Sequence, residues 1–244
     1  MNRTTIWLLV LSLALASAAG AAPTDEEKCE KSKVLALGKR ALCLQKERGK
    51  EAIGQTPDTA KCADKFADAI AKADEKAAKK GASCRWLDNA DGTATDLNSG
   101  LQWELKTDDG SAHDKDKTYT WNTDTLGGTT PNGTAFTDLL GTLNGGVSAL
   151  PGSATTGCFA GHCDWRLPMI EDLRAILDAE YPNCSIDPCT TIPGFTVSSL
   201  YWSSSTVSAG PAFAWGVFFD SGLVWNFAYK DDDSVYVRAV RGGS

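Results

Sequence analysis

The chain has 244 residues, with 31 Asp and Glu against 24 Lys and Arg, so its formal net charge at pH 7 is −7. The charge is uneven: residues 23–86 carry net +4 (15 basic, 11 acidic), and residues 87–244 carry net −12 (8 basic, 20 acidic). A C-terminal part this acidic argues against nucleic acids and sulfated polysaccharides as ligands, because both are polyanions.

The N-terminus predicts a signal peptide over residues 1–22. Arg3 precedes an apolar run at 6–16, and small residues fill 17–22. This order is typical of export signals, and the run is shorter than the ~20 residues that a membrane-spanning helix needs. An uncleaved membrane anchor is the alternative. We therefore expect a secreted, periplasmic or cell-surface protein with no membrane span after cleavage.

All eight cysteines follow the predicted signal. An even number in an exported chain indicates disulfides. The alternative is a four-thiolate metal site built from two pairs, each separated by four residues: Cys158 with Cys163, and Cys184 with Cys189. Structural zinc sites more often use a two-residue spacing, so we predict the local disulfides Cys158–Cys163 and Cys184–Cys189.

A break in composition near Cys84 predicts two parts, a helical hairpin over 23–84 and a second domain over 85–244. Helices are predicted over about 25–49 and 58–80, and the second has one apolar stripe: Cys62, Phe66, Ile70, Ala73 and Ala77. Folding them back antiparallel pairs Cys43 with Cys62 near the turn and Cys29 with Cys84 at the open end. Such a hairpin is more typical of a spacer or docking element than of an active site.

The second domain predicts an α+β fold. Residues 85–96 are expected to form a strand, a tight turn at Asp91-Gly92 and a second strand, and a further strand is expected at 101–104. Helices follow at 134–144 and 169–177. The last four predicted strands cover 200–204, 213–219, 223–229 and 235–241.

Nothing in the chain has the spacing of a known catalytic motif. The two histidines, His113 and His162, lie in predicted loops, and we interpret both as exposed loop residues. The paired carboxylates of the chain are better explained as helix-capping and turn residues than as the two acidic residues of a glycoside hydrolase. We expect a protein that is not an enzyme.

Aromatic residues crowd the segment from 201 to 236. Most must be core, but a surplus beside short polar side chains suits sugar binding, because ring faces stack on pyranoses. The candidate ligand-binding residues are Trp202, Trp215, Asp220, Trp225 and Asn226. Asp231, Asp232 and Asp233 are the candidate ligands for calcium, with a solvated acidic loop as the alternative.

Three motifs in this order resemble the Legionella collagen-like protein C-terminal domain family: Trp165–Pro168 (Trp-Arg-Leu-Pro), Tyr201–Ser204 (Tyr-Trp-Ser-Ser) and Val237–Gly243. The resemblance covers about residues 86–243. Arg166 and Arg238 lie inside these motifs, and we predict that they pair with buried carboxylates such as Asp164 or Glu171 rather than bind ligand.

The resemblance implies a C-type-lectin-like fold, in which two helices flank an antiparallel sheet, and a role in surface adhesion or glycan binding. The negative charge favours a neutral glycan or a surface protein as the partner. One alternative is a structural envelope protein with no small ligand. A second is an enzyme related to formylglycine-generating oxidases, which share this fold and need unpaired thiols.

Overall fold

The computed structural model describes residues 22–124, 128–145, 157–177 and 188–242, and the predicted signal peptide lies outside them except for Ala22. The α+β prediction is confirmed, and so is the disulfide-linked helical hairpin before the second domain. None of the described helices is long and apolar enough to cross a membrane.

The hairpin consists of α1 (Asp25–Glu51) and α2 (Thr59–Ala78). Thr24 begins α1 with a capping box: its hydroxyl accepts from the Glu27 N–H (3.1 Å), and the Glu27 carboxylate accepts from the Thr24 N–H (2.7 Å). Asp58 caps α2 with a single bond, in which its carboxylate accepts from the Lys61 N–H. These caps explain where both helices begin.

The predicted nested disulfides hold the hairpin together. Cys29–Cys84 closes the open end and Cys43–Cys62 lies near the turn, with Cα atoms 5.9 and 5.8 Å apart. The apolar core between the helices is small, comprising Ala36, Phe66 and Ile70 in one cluster and Ala73, Ala77 and the outer disulfide in another. So small a core needs such crosslinks.

Lys33 ties the hairpin to the second domain. Its side chain is completely buried, and Nζ lies 2.5 Å from Asp74 on α2 and 2.5 Å from the Asn98 side-chain oxygen. Arg40, almost two turns further along α1, donates to the Ser99 carbonyl at 3.1 Å. One side of α1 therefore packs on the turn at 97–100.

Two antiparallel sheets form the second domain. The first has the order β1-β2-β3-β7, and the second has the order β4-β5-β6. In the first, Trp103 lies opposite both Ala94 and Val240. The strand bounds are β1 Trp86–Asp88, β2 Thr93–Asp96, β3 Gln102–Glu104, β4 Leu200–Thr206, β5 Phe213–Phe218, β6 Val224–Tyr229 and β7 Val240–Arg241.

The predicted last strand, 235–241, is wrong in extent, because only Val240–Arg241 joins a sheet. The preceding residues join the two sheets instead. Tyr236 donates its N–H to the Leu200 carbonyl and accepts from the Trp202 N–H, both at 2.9 Å. The Ala239 carbonyl accepts from the Glu104 N–H at 3.0 Å. The residues before β7 therefore form backbone hydrogen bonds with several separate segments instead of one continuous strand pairing.

Both helices predicted in this domain form. The first is a π-helix, Ala135–Leu140, that continues as the single turn α3 (Gly141–Leu143); the second is α4 (Ile170–Ala175). Asp172 caps α4 by accepting from the Met169 N–H (2.9 Å) and also pairs with Arg166 (2.8 Å). Arg166 therefore pairs with a carboxylate as predicted, but the partner is Asp172 rather than Asp164 or Glu171.

Arg238 corrects the other half of that prediction. Its buried guanidinium donates to the Glu104 carbonyl (2.9 Å), the Phe195 carbonyl and the Thr196 hydroxyl (2.7 Å), rather than to a carboxylate. It therefore joins β3 to the loop before β4 through two backbone carbonyls and one hydroxyl.

A buried charge cluster lies beneath the loop that follows β3. The Glu104 carboxylate is completely buried; one oxygen lies 3.0 Å from Lys106 Nζ and 2.9 Å from His113 Nδ1, and the other accepts from the Ala239 N–H at 2.9 Å. Burial alone would raise the pKa of Glu104, but Lys106, His113 and the Ala239 N–H outweigh burial and hold this pKa below its ordinary value.

Candidate functional site

Strand β6 presents its largest side chains to solvent. Trp225, Phe227 and Tyr229 are 37%, 60% and 59% exposed, whereas Ala228 is 4% exposed and faces the core. Strict alternation does not by itself produce this grouping, because Gly216 pairs with Trp225 and Ala214 with Ala228, which leaves one extra residue in β6 between Trp225 and Ala228. The burial of the smallest apolar residue and the exposure of three aromatic rings reverse the usual arrangement of a strand on a core.

Two rings of β5 extend this surface into a continuous set of ring contacts. Trp225 lies 6.1 Å from Phe218 and 5.7 Å from Phe227, measured between ring centroids. Phe213 lies 6.0 Å from Phe227 and 4.5 Å from Tyr229. We call the three exposed residues of β6 (Trp225, Phe227, Tyr229) the aromatic strip, and Phe213 and Phe218 its flanking rings.

Acidic residues stand at both ends of the strip. Asp220 is exposed in the turn between β5 and β6 and accepts from the Ser221 hydroxyl at 2.8 Å. Asp231 and Asp233 are exposed just beyond the C-terminal end of β6. β6 is also one of the two edge strands of its sheet. An exposed aromatic surface on an edge strand is typical of a contact site for another molecule.

The structure brings only part of the predicted ligand set to this surface. Trp202 is completely buried, and its Nε1 donates to the Tyr119 carbonyl at 2.7 Å, so it is a core residue and its predicted ligand role is wrong. Trp215 is half-buried and packs on the core around Tyr201 and Val217. Asn226 is half-buried and is not among the exposed residues of β6.

Phe227 and Tyr229 belong to the site but were not among the predicted ligand residues. The alternation of Leu223, Trp225, Phe227 and Tyr229 was the available signal. In a regular strand this alternation places the side chains on one face, but it does not show whether that face meets the core or solvent, and it does not reveal the register shift between Trp225 and Ala228.

The three carboxylates proposed for calcium do not converge. Asp232 is occupied by its own turn, accepting from the Ser234 N–H (2.8 Å) and hydroxyl (2.6 Å). Within the described ranges, one group of three potential metal ligands lies close together: Cys29, Asp74 and Cys84. Its two sulfurs form a disulfide, so they offer no thiolate. Calcium at Asp231–Asp233 stays a prediction that the geometry of these residues does not favour.

Three of the four predicted disulfides form, the third being Cys158–Cys163 with Cα atoms 5.2 Å apart. The fourth, Cys184–Cys189, lies outside the described residues at its Cys184 end; Cys189 itself is disulfide-bonded. The described cysteines therefore do not form the alternative four-thiolate site.

Neither histidine is the fully exposed loop residue that we expected. His113 is half-buried between Glu104 and Phe159, whose ring centroid is 4.1 Å from its own. His162 is also half-buried. The His113 ring therefore helps to hold the loop 106–117 against the charge cluster, which is a structural role.

The described residues form an α+β domain that follows a disulfide-linked helical hairpin. A family model described as the Lcl C-terminal domain matches residues 92–241, and the chain belongs to that family. The match lies within the range of about 86–243 that the sequence motifs indicated. Comparison with curated protein sequences and with solved structures found no match to this chain.

Proposed function

We propose that this protein is an exported, non-catalytic binding module and that the aromatic strip is its ligand-contact surface. The observation that carries the proposal is the reversed burial on β6, where Ala228 is in the core and Trp225, Phe227 and Tyr229 are in solvent. Stability alone favours the opposite arrangement, because buried aromatic rings contribute more apolar area than a buried methyl group.

A neutral glycan is the proposed ligand. At the usual rise per strand residue, Trp225 and Tyr229 are about 13 Å apart along β6, which leaves room for more than one sugar ring. Stacking uses the faces of such rings, and the carboxylate of Asp220 near one end can accept from sugar hydroxyls. The net charge of −12 over residues 87–244 disfavours sulfated glycans, and the acidic ends of the strip act in the same direction.

Export is part of the proposal. It is supported by the N-terminal sequence and by three disulfides, which are typical of oxidising compartments. An oxidase of the formylglycine-generating kind would need unpaired thiols in a cleft. Every cysteine among the described residues is disulfide-bonded, an observation against that alternative.

The test is a glycan-array screen of residues 23–244 in the oxidised form, run with calcium and again with a chelator. We expect selective binding to neutral glycans that is lost in Trp225→Ala and retained in Phe195→Ala, a matched control because Phe195 is 50% exposed but not part of the strip. Loss of binding in the chelator would implicate calcium. A blank array from folded protein would instead favour a structural envelope protein.

A further inference from the structure

The outward face of α1 is basic and partly apolar. With about 100° per helical residue, one set of exposed residues lies within about 60° of Leu35, and no Asp or Glu of α1 does. The set comprises Lys28, Lys31, Ser32, Leu35, Gly38, Lys39, Leu42, Lys46 and Gly49. Leu35 and Leu42 are 57% and 63% exposed. We call this set the α1 outer face.

Most charges on this face are unneutralised. Lys28 pairs with Asp25 at 3.1 Å, but Lys31, Lys39 and Lys46 form no ion pair with any residue in the described ranges. They follow one another along the helix at intervals of eight and seven residues, and the exposed leucines lie between them. The face therefore presents a row of ammonium groups about 22 Å long.

The hydrogen bonds by which α1 contacts the second domain, within the described residues, lie away from this face. Lys33 and Arg40 contact the second domain and lie on the opposite side of α1 from Leu35. The disulfide residues Cys29 and Cys43 direct a third side of α1 toward α2. A flat partner could thus cover the α1 outer face without contacting the domain of net charge −12.

We propose that the α1 outer face docks on an anionic phospholipid bilayer surface. The row of lysines complements acidic headgroups, and Leu35 and Leu42 can enter the interface between headgroups and acyl chains. The same approach keeps the acidic domain on the far side, where its repulsion from the bilayer is screened within a Debye length of about 10 Å. In this orientation the hairpin lies between the bilayer surface and the second domain.

The proposal is independent of the aromatic strip and of its ligand. Vesicle co-sedimentation of oxidised residues 23–244 tests it, with phosphatidylcholine vesicles and with vesicles in which phosphatidylglycerol replaces part of the phosphatidylcholine. We expect binding to the anionic vesicles only, weakened at least tenfold between about 0.02 M and about 0.5 M salt.

Charge reversal locates the contact. Lys31→Glu with Lys39→Glu and Lys46→Glu lowers vesicle affinity on the order of 100-fold, and Leu35→Ser with Leu42→Ser also weakens it. The matched control is Lys61→Glu with Lys65→Glu and Lys72→Glu, which changes net charge equally at exposed positions of α2. Circular dichroism confirms that each variant is folded, and Trp225→Ala retains vesicle binding.

Three results would overturn the proposal. Equal binding to both vesicle types, or to neither, removes the electrostatic argument. An equal loss in the α2 control assigns binding to total charge rather than to this face. If the α1 substitutions instead change the sedimentation coefficient of the protein alone, the face contacts a second copy of the chain and not lipid.

Discussion

Trp225 and Phe227 stand side by side on the solvent face of β6, with ring centroids 5.7 Å apart and planes inclined at 66°. Between them in sequence, Asn226 is half-buried, and Ala228, the residue after Phe227, is in the core. The exposed rings gain contact with each other but leave much of their surface in water. We propose that these rings remain exposed because they contact a ligand.

Substitutions on the strip separate binding from stability. Phe227→Ala and Tyr229→Ala should each change the free energy of unfolding by less than about 1 kcal/mol, because both side chains are mostly exposed. Trp202→Ala should cost about 3–5 kcal/mol, because its ring is completely buried. Urea unfolding measures all three; a cost for Phe227→Ala as large as that for Trp202→Ala would show that the strip is part of the core.

The buried charge cluster makes Glu104 important for stability. Glu104→Gln should lower the free energy of unfolding by about 3–5 kcal/mol at pH 7, because it leaves the buried Lys106 without its carboxylate partner. Glu171→Gln is the control, since Glu171 is exposed on α4. Equal effects of the two substitutions in urea would contradict the structural role of the cluster.

The same carboxylate predicts destabilisation in acid. Its pKa in the folded protein is lowered, so its contribution to stability is present above the unfolded-state pKa of about 4.3 and is lost as the pH falls through the folded-state pKa. Urea unfolding at a series of pH values below about 5 should show a steeper loss in the native protein than in Glu104→Gln. Parallel pH profiles would assign acid unfolding to other groups.

The two hairpin disulfides should differ in their effect. Cys29–Cys84 spans 55 residues and Cys43–Cys62 spans 19, so the entropy of loop closure predicts losses of about 4 and about 3 kcal/mol when each pair is replaced by Ser. Thermal unfolding of the two double variants measures the difference. A larger loss for the shorter loop would show that packing around Cys62, rather than chain entropy, dominates.

The sequence was sufficient for features that depend on local spacing. Helical periodicity placed Cys29 opposite Cys84 and Cys43 opposite Cys62, because two antiparallel helices bring their ends together. Period-two alternation located β4, β5 and β6 within one or two residues of their bounds. These signals need no knowledge of distant partners.

Features that depend on distant partners were not predictable in this way. The Glu104 carboxylate meets the Ala239 N–H across 135 residues, and Trp202 enters the core through a bond to a carbonyl 83 residues away. Whether the aromatic side chains of β6 meet solvent or the core depends on which distant residues pack against its sheet. Alternation therefore grouped Trp225 with Phe227, but it carried no information about whether solvent or the core lies against them, or about the register shift between Trp225 and Ala228.

The most direct test of the central claim is the affinity of one array-selected neutral glycan for four proteins, measured by titration calorimetry. The proteins are the native chain, Trp225→Ala, Phe227→Ala and the control Phe195→Ala. The account predicts at least tenfold weaker binding for the two strip variants and unchanged binding for the control. Unchanged affinity in both strip variants, with all four proteins folded, would contradict the assignment of the strip as the ligand-contact surface.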